Sequence, residues 1–220
     1  MNKTVTKKAN TRSLQQRTQE TKAKILSAAL SEFAKSGFEG VSTRSIATNA
    51  GVNHTLISHH FGSKDALWKA TAEWFFNTYN QEFLNRRKAL NEVDATDKLR
   101  IYIRDFIEFC VNFPDFTRFM MQANQGDEER LNWLVDRFLR SGSETELGML
   151  QQAQKLGFIP QGDSLHMRYL FIGAATSIFT FAPEFSRLSG KDPFSHSMVE
   201  QHIDYLLALF STQVPKLKEV

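Results

Sequence analysis

Apolar residues recur at helical spacing along most of the chain, with no sustained period-two alternation, so the pattern predicts an all-helical protein. The first stripe, Ile25, Leu26, Ala29, Leu30 and Phe33, predicts a helix from about Thr18 to Ser36 that ends at Gly37. Phe38 and Val41 follow in a loop and close a small core over Ile46 and Ile57. Ser42 or Thr43 caps a short helix bearing Ile46, Ala47 and Ala50, and Gly51 ends it because a left-handed residue costs glycine little. Val52 anchors the turn. Asn53 caps a second short helix, His54 to His60, with Ile57 turned inward and His54, Thr55, Ser58 and His59 outward.

Ser63 is placed to cap a long helix through Leu67, Trp68, Trp74, Phe75 and Tyr79 to about Leu90. At ~1.5 Å per residue it spans some 40 Å, enough to join a head to a separate body. The body's periodicity predicts helices over Thr96–Phe113, Asp115–Gln125 after the breaker Pro114, and Glu128–Leu156, where Gly142 and Gly148 allow a kink. After a loop from Gly157 to Gly162, Asp163 caps a helix to about Phe181 that is apolar nearly all round. The last helix, from Pro193 or Phe194 to Phe210, carries Val199, Ile203, Leu206, Leu207 and Phe210 on one stripe. These last two helices can pair with their copies in a second chain as a four-helix homodimer interface, or pack within one chain. The expected architecture is a three-helix head and a helical body, about nine helices in all. It divides into a basic disordered arm at 1–17, a head at 18–63 and a body at 64–220.

Length is ample for such a core. The longest nearly apolar stretch, Tyr169 to Pro183, is shorter than the ~20 residues of a membrane span, so no membrane partner is expected. A single cysteine, Cys110, and a polar N-terminus point to a reducing, cytoplasmic setting. Charge sharpens the division. Residues 1–64 hold ten Lys/Arg against three acids, and residues 65–220 hold seventeen against twenty-one. A basic end on a mildly acidic remainder suits a head that binds a polyanion, with Lys64 and the helix N-terminus behind Ser63 placed for a phosphate.

Two short helices about a glycine turn, with a polar outward face, form a helix-turn-helix pattern, whose second helix reads the major groove of double-stranded DNA. The basic arm can lie in the adjacent minor groove or stay idle. Three histidines in seven residues raise a metal site, but His54 lies five and six residues from His59 and His60, not the four that align two imidazoles on one helix face. No metal or other cofactor is called for. There is no nucleophile elbow, P-loop or catalytic carboxylate pair, so the reading is not an enzyme. The alternative is a helical small-molecule carrier or enzyme retaining a helix-turn-helix-like head. In the body Phe106, Phe109, Met120, Met121, Trp133 and Phe138 can line an apolar ligand cavity or serve as plain core. Arg118, Gln122, Asn124 or Arg168 can add polar recognition, Arg168 being taken into the candidate site.

From Lys24 to Leu67 the chain resembles the TetR family of bacterial transcriptional regulators. The resemblance is carried by Ile25, Leu26, Ala28, Ala29, Phe33, Gly37, Gly40, Ser42, Ile46, Ala47, Ala50, Gly51, Val52, Phe61, Lys64 and Leu67, in one gap-free spacing. The FPDF and FAPEF segments of the body are similar to a RutR-like subgroup. The resemblance implies DNA contacts from Thr43, Arg44, His54, Thr55, Ser58, His59, His60 and Lys64, and Asn53 is counted with them. Many members carry Tyr where this chain has Ser58, whose reach toward a phosphate is shorter. The resemblance further implies a ligand-responsive repressor that leaves a palindromic operator when a small-molecule effector binds.

Overall fold

A computed structural model describes residues 3–88 and 95–210, and these are helical apart from short turns. The chain forms two compact units, Met1–Asn80 with Arg118–Arg130, and Gln81–Thr117 with Leu131–Val220.

The first unit contains α1 (Lys3–Ser36), α2 (Thr43–Ala50), α3 (Thr55–Phe61), the first part of α4 (Lys64–Lys88) and most of α6 (Pro114–Gln125). The expected disordered arm over 1–17 is corrected here: α1 is already helical at Lys3. No Gly or Pro stands between Lys3 and Ser36, and Lys, Arg and Gln are good helix formers, so the packed half propagates backward until nothing opposes it. Met1, Asn2 and the expected end of α4 at Leu90 lie outside the described residues. The packed half of α1 buries Ile25, Ala29 and Phe33, and α2 packs against it with Ile46 and Ala47. Ile57 of α3 and Leu67 and Trp68 of α4 are also buried. Each large side chain so buried contributes about 1.5–3 kcal/mol. Trp68 stacks on Phe119 of α6 at 5.1 Å between centroids. Thr71, fully buried, satisfies its hydroxyl on the carbonyl of Leu67 at 2.8 Å.

The second unit contains α5 (Ala95–Asn112), α8 (Arg140–Lys155), α9 (Ser164–Thr180), α10 (Ala182–Ser189) and α11 (His196–Phe210). α5 packs on α9 and α11, and α8 packs on α9. The single helix expected over Glu128–Leu156 is instead α7 (Glu128–Leu134), a π-turn at Val135–Leu139, and α8. The break falls before Gly142 and Gly148, which sit inside α8. The N–H of Arg140 reaches the carbonyl of Val135, five residues back. One extra residue in the turn re-phases the apolar stripe. It leaves Leu134 fully buried and sets Trp133 edge-on to Phe138 at 5.6 Å. α10 is an element the pattern did not predict, begun by Pro183 in its first turn.

Ile103, Ile107 and Cys110 of α5 face Phe171, Ala175 and Phe179 of α9 and Val199, Ile203 and Leu206 of α11 in the core. Arg104 donates two hydrogen bonds to Glu200, at 2.6 and 2.9 Å, tying α5 to α11. The α8–α9 loop is held by Gln154. Its amide donates to the carbonyls of Pro160 and Gly162, its Oε1 accepts from Ser164, and its own carbonyl accepts from Gln161. Beneath that clasp Leu150, Ala153 and Ile159 form a small core with Phe158 and Met167. Among the described residues no helix is long and apolar enough to cross a membrane.

Candidate nucleic-acid interface

Ser42 caps α2 in extended conformation. Its hydroxyl accepts from the N–H of Ser45 at 3.0 Å, and Ser45 reciprocates to the N–H of Ser42 at 3.3 Å. That capping box fixes where α2 begins, and so where Thr43 and Arg44 stand. At the other end Gly51 takes φ +64°, and Val52 N–H reaches back to Ala47 O at 3.0 Å. The left-handed glycine reverses the chain within two residues.

α3 starts at Thr55, one residue later than the sequence pattern placed it. Asn53 does cap it: its Oδ1 accepts from the N–H of Thr55 at 2.9 Å and from its hydroxyl at 2.8 Å. Asn53 and Thr55 are therefore joined to each other, and the Thr55 hydroxyl proton is spent within the turn. Ile57 is buried while Thr55, Ser58 and His59 are exposed. His54 is half-buried and makes a 3.0 Å hydrogen bond between its Nε2 and Thr43 Oγ1.

The three histidines divide by environment. His59 is exposed, its ring set against His60 at 5.0 Å. His60 is half-buried, and its proton affinity is lowered by burial first, then by His59 and by Lys22. Lys22 thus enters the electrostatics of the face, a residue not singled out in advance. Its place one turn before Ile25 on α1 was the available signal. Among the described residues no cluster of His, Cys, Asp and Glu is arranged to hold a metal.

Ser63 caps α4 through its hydroxyl on Ala66 N–H at 3.0 Å, and Lys64 follows in the first turn. The Lys64 ammonium lies 4.3 Å from the centroid of Phe38, so a loop residue of the expected core seats it. Arg44 is exposed in the first turn of α2. In the first unit, then, Thr43, Arg44, Thr55, Ser58, His59 and Lys64 belong to three consecutive helices with defined starts.

The candidate ligand residues belong to both units. Met120 and Met121 are on α6 within the first unit, half-buried and exposed respectively. In the second unit Phe106 meets Phe171 at 5.2 Å, and Phe109 packs on Phe113 and Phe116. Trp133 and Phe138 meet across the π-turn. Arg168 donates to Glu146 at 2.7 Å in a mostly buried pair.

The model of bacterial regulatory proteins, tetR family, matches residues 25–71, the stretch that builds α1 through the first part of α4. The repressor NicS of Pseudomonas putida is 28% identical over 142 residues, 64% of this chain and 65% of NicS. The regulator RutR of Escherichia coli O157:H7 is 28% identical over 171 residues, 77% of this chain and 78% of RutR. Among solved structures, AibR in complex with isovaleryl coenzyme A and operator DNA superposes with a TM-score of 0.67 at 18% identity, over 86% of this chain and 97% of that one. A helix-turn-helix head with an all-helical body is the class these features define. Residues 25–71 match the tetR family of bacterial regulatory proteins, and over longer stretches the chain is similar to the regulators NicS and RutR.

Proposed function

We propose that this protein is a ligand-responsive, sequence-specific DNA-binding transcriptional regulator, a repressor that a small-molecule effector releases from a palindromic operator. The observation that carries this reading is the capped α2–turn–α3 unit, with Thr55, Ser58 and His59 exposed on the second helix. An ordinary helical hairpin has no need of an exposed second helix this poor in acid. Arg44, His60 and Lys64 are assigned to the same face, with Lys64 and the α4 N-terminus on a phosphate. The names of NicS and RutR, a repressor and a regulator, agree with this reading.

The working form is a homodimer through α9 and α11. Leu165, Tyr169 and Leu170 of α9 and Tyr205 and Leu209 of α11 are exposed apolar or aromatic residues, which supports cover by a second copy. Two copies of α3 then enter successive major grooves about 34–36 Å apart. The effector site is assigned to the body, near Phe106, Phe109, Trp133, Phe138 and Arg168.

Gel-shift titration of the chain against the DNA upstream of its own gene tests the reading. A sequence-selective shift that weakens steeply as salt rises is expected. Absence of any selective, salt-sensitive shift overturns it in favour of a carrier or enzyme.

A further inference from the structure

The first unit holds a cavity of about 450 Å³ that shares only Phe38, the seat of Lys64, with the DNA-binding reading. Its size falls within the ~300–1,000 Å³ range of small-molecule sites. Phe33, Phe38 and Trp68 give its lining an aromatic part, and Gln122, Asp127 and Arg130 give it a polar one. The Arg130 side chain is only 15% exposed, and its guanidinium lies 3.7 Å from the Phe38 ring centroid.

Its carboxylate neighbours are poor partners. Glu39 Oε1 is 3.7 Å away on a side chain 87% exposed, and Asp65 Oδ1 is 4.0 Å away. Asp65 is already bound to Lys69 at 2.8 Å. Asp127 is occupied in capping α7, its Oδ1 accepting from the backbone N–H of Arg130 at 3.1 Å. The Arg130 guanidinium carries five N–H donors in a planar fork, and none meets a carboxylate within hydrogen-bond distance. Burial of so weakly paired a charge is unfavourable unless something else completes the fork. A carboxylate matches that fork in two parallel bonds.

We propose that this cavity binds a small organic carboxylate, its charged group on Arg130 and its apolar body against Phe33, Phe38 and Trp68. Glu39 is the group the occupant displaces. The site lies wholly within the first unit and is distinct from the residues assigned to the effector in the body. It stands whether or not the chain is a repressor, because it is read out as binding by DNA-free protein.

Isothermal titration of the full chain with 2-naphthoate, and with 2-naphthamide as its uncharged counterpart, tests it. Saturable binding of the acid is expected, with the amide weaker by at least about tenfold. Arg130→Met abolishes binding and Arg130→Lys weakens it. Glu39→Gln tightens it about two- to fivefold, since an exposed competing ion pair is removed. No saturable heat from the acid, equal binding of acid and amide, or an affinity unmoved by Arg130→Lys overturns the proposal. Should Arg130→Met fail to fold by circular dichroism, the acid–amide comparison and Glu39→Gln decide the matter. A gel shift on the same samples reports DNA binding separately, so failure of either reading is distinguishable from failure of the other.

Discussion

Thr43 Oγ1 and His54 Nε2 stand 3.0 Å apart, joining the first residue of α2 to the residue before α3. The bond sets which way the threonine hydroxyl faces. If Nε2 accepts, the hydroxyl proton is spent within the protein; if an Nε2–H donates, that proton is free for a phosphate. Either way the expectation is that the two side chains act as one unit on DNA rather than as two contacts. His54→Ala and Thr43→Val should each weaken operator binding, and the double variant should be no worse than the more damaging single one. The expected coupling is about 0.5–1.5 kcal/mol in a double-mutant cycle of gel-shift affinities. Additive losses refute the pairing.

Gly40 and Gly51 are both constrained, for different reasons. At Gly51 the backbone has φ +64° and a Cβ would meet nothing within 4 Å, so alanine there costs only the left-handed conformation, about 1–2 kcal/mol. At Gly40 a Cβ would lie 2.4 Å from the backbone oxygen of Ser36, and that atom cannot swing aside. Gly40→Ala therefore forces the chain between α1 and α2 to shift, at about 1–3 kcal/mol by comparison with overpacked cores. Urea denaturation of both variants checks this. Gly40→Ala should shift α2 and weaken DNA binding in proportion, whereas Gly51→Ala should lower stability with a smaller loss of binding.

How much was legible in advance follows from what each residue has to satisfy. The α2–α3 turn is specified by local chemistry, a serine cap, a left-handed glycine and an asparagine cap, and these read directly from Ser42, Gly51 and Asn53. The π-turn at Val135–Leu139 is not local in that sense. Leu134 at its start is fully buried, nothing in the local spacing marks that position, and the visible glycines, 142 and 148, drew attention to the wrong place. The helical state of Lys3 onward was missed because an absent apolar face was taken as absent helix, although no breaker stands before Gly37. At the candidate interface the outward residues of α3 were legible from period alone. That His54 would be bound to Thr43, and Lys64 seated on Phe38, depends on approaches between segments that no spacing encodes.

His202 gives the second unit an acid sensitivity. The ring is buried between α9 and α11, edge-on to Phe179, and bonded to the carbonyl of Ala175 at 3.1 Å. Burial, the dominant cause, lowers its proton affinity below the ordinary 6.5, while the bonds to Ala175 and Ala174 act in the opposite sense. With the folded value depressed, the unfolded chain binds more protons once pH falls below 6.5. Stability is then flat above that point and declines beneath it. Denaturant midpoints at about pH 7.5 and pH 5.5 should differ, and His202→Gln, which keeps a donor for Ala175, should narrow the difference. His60 carries the same sign in the first unit, so some slope remains in the variant. An unchanged slope refutes the assignment to His202.

The exposed stripe of α11 makes the proposed dimer testable. Leu209 is 68% exposed and Tyr205, one turn earlier, is 55% exposed. A glutamate placed in the middle of a self-complementary apolar contact meets its own copy across the twofold axis, so repulsion adds to the lost burial. Leu209→Glu should be monomeric in sedimentation at micromolar concentration, with the circular dichroism of the parent. Its affinity for a palindromic site should fall to that for a half-site. A variant that stays dimeric places the interface elsewhere.

Lys64 separates phosphate contact from base reading. It follows the Ser63 cap in the first turn of α4, and Phe38 holds its ammonium from beneath. A cation at a helix N-terminus contributes to every DNA sequence alike and carries no base information. Lys64→Ala should therefore weaken operator and unrelated DNA by the same factor and reduce the slope of log affinity against log salt by about 0.9 for the phosphate lost. Thr55→Val on α3 should do the reverse, changing base preference with the salt slope intact. Phe38→Leu tests the seat itself. It keeps the charge but removes the ring, so a partial loss with the same uniform pattern is expected. A change of base preference in Lys64→Ala would show that this lysine reads the groove rather than the backbone.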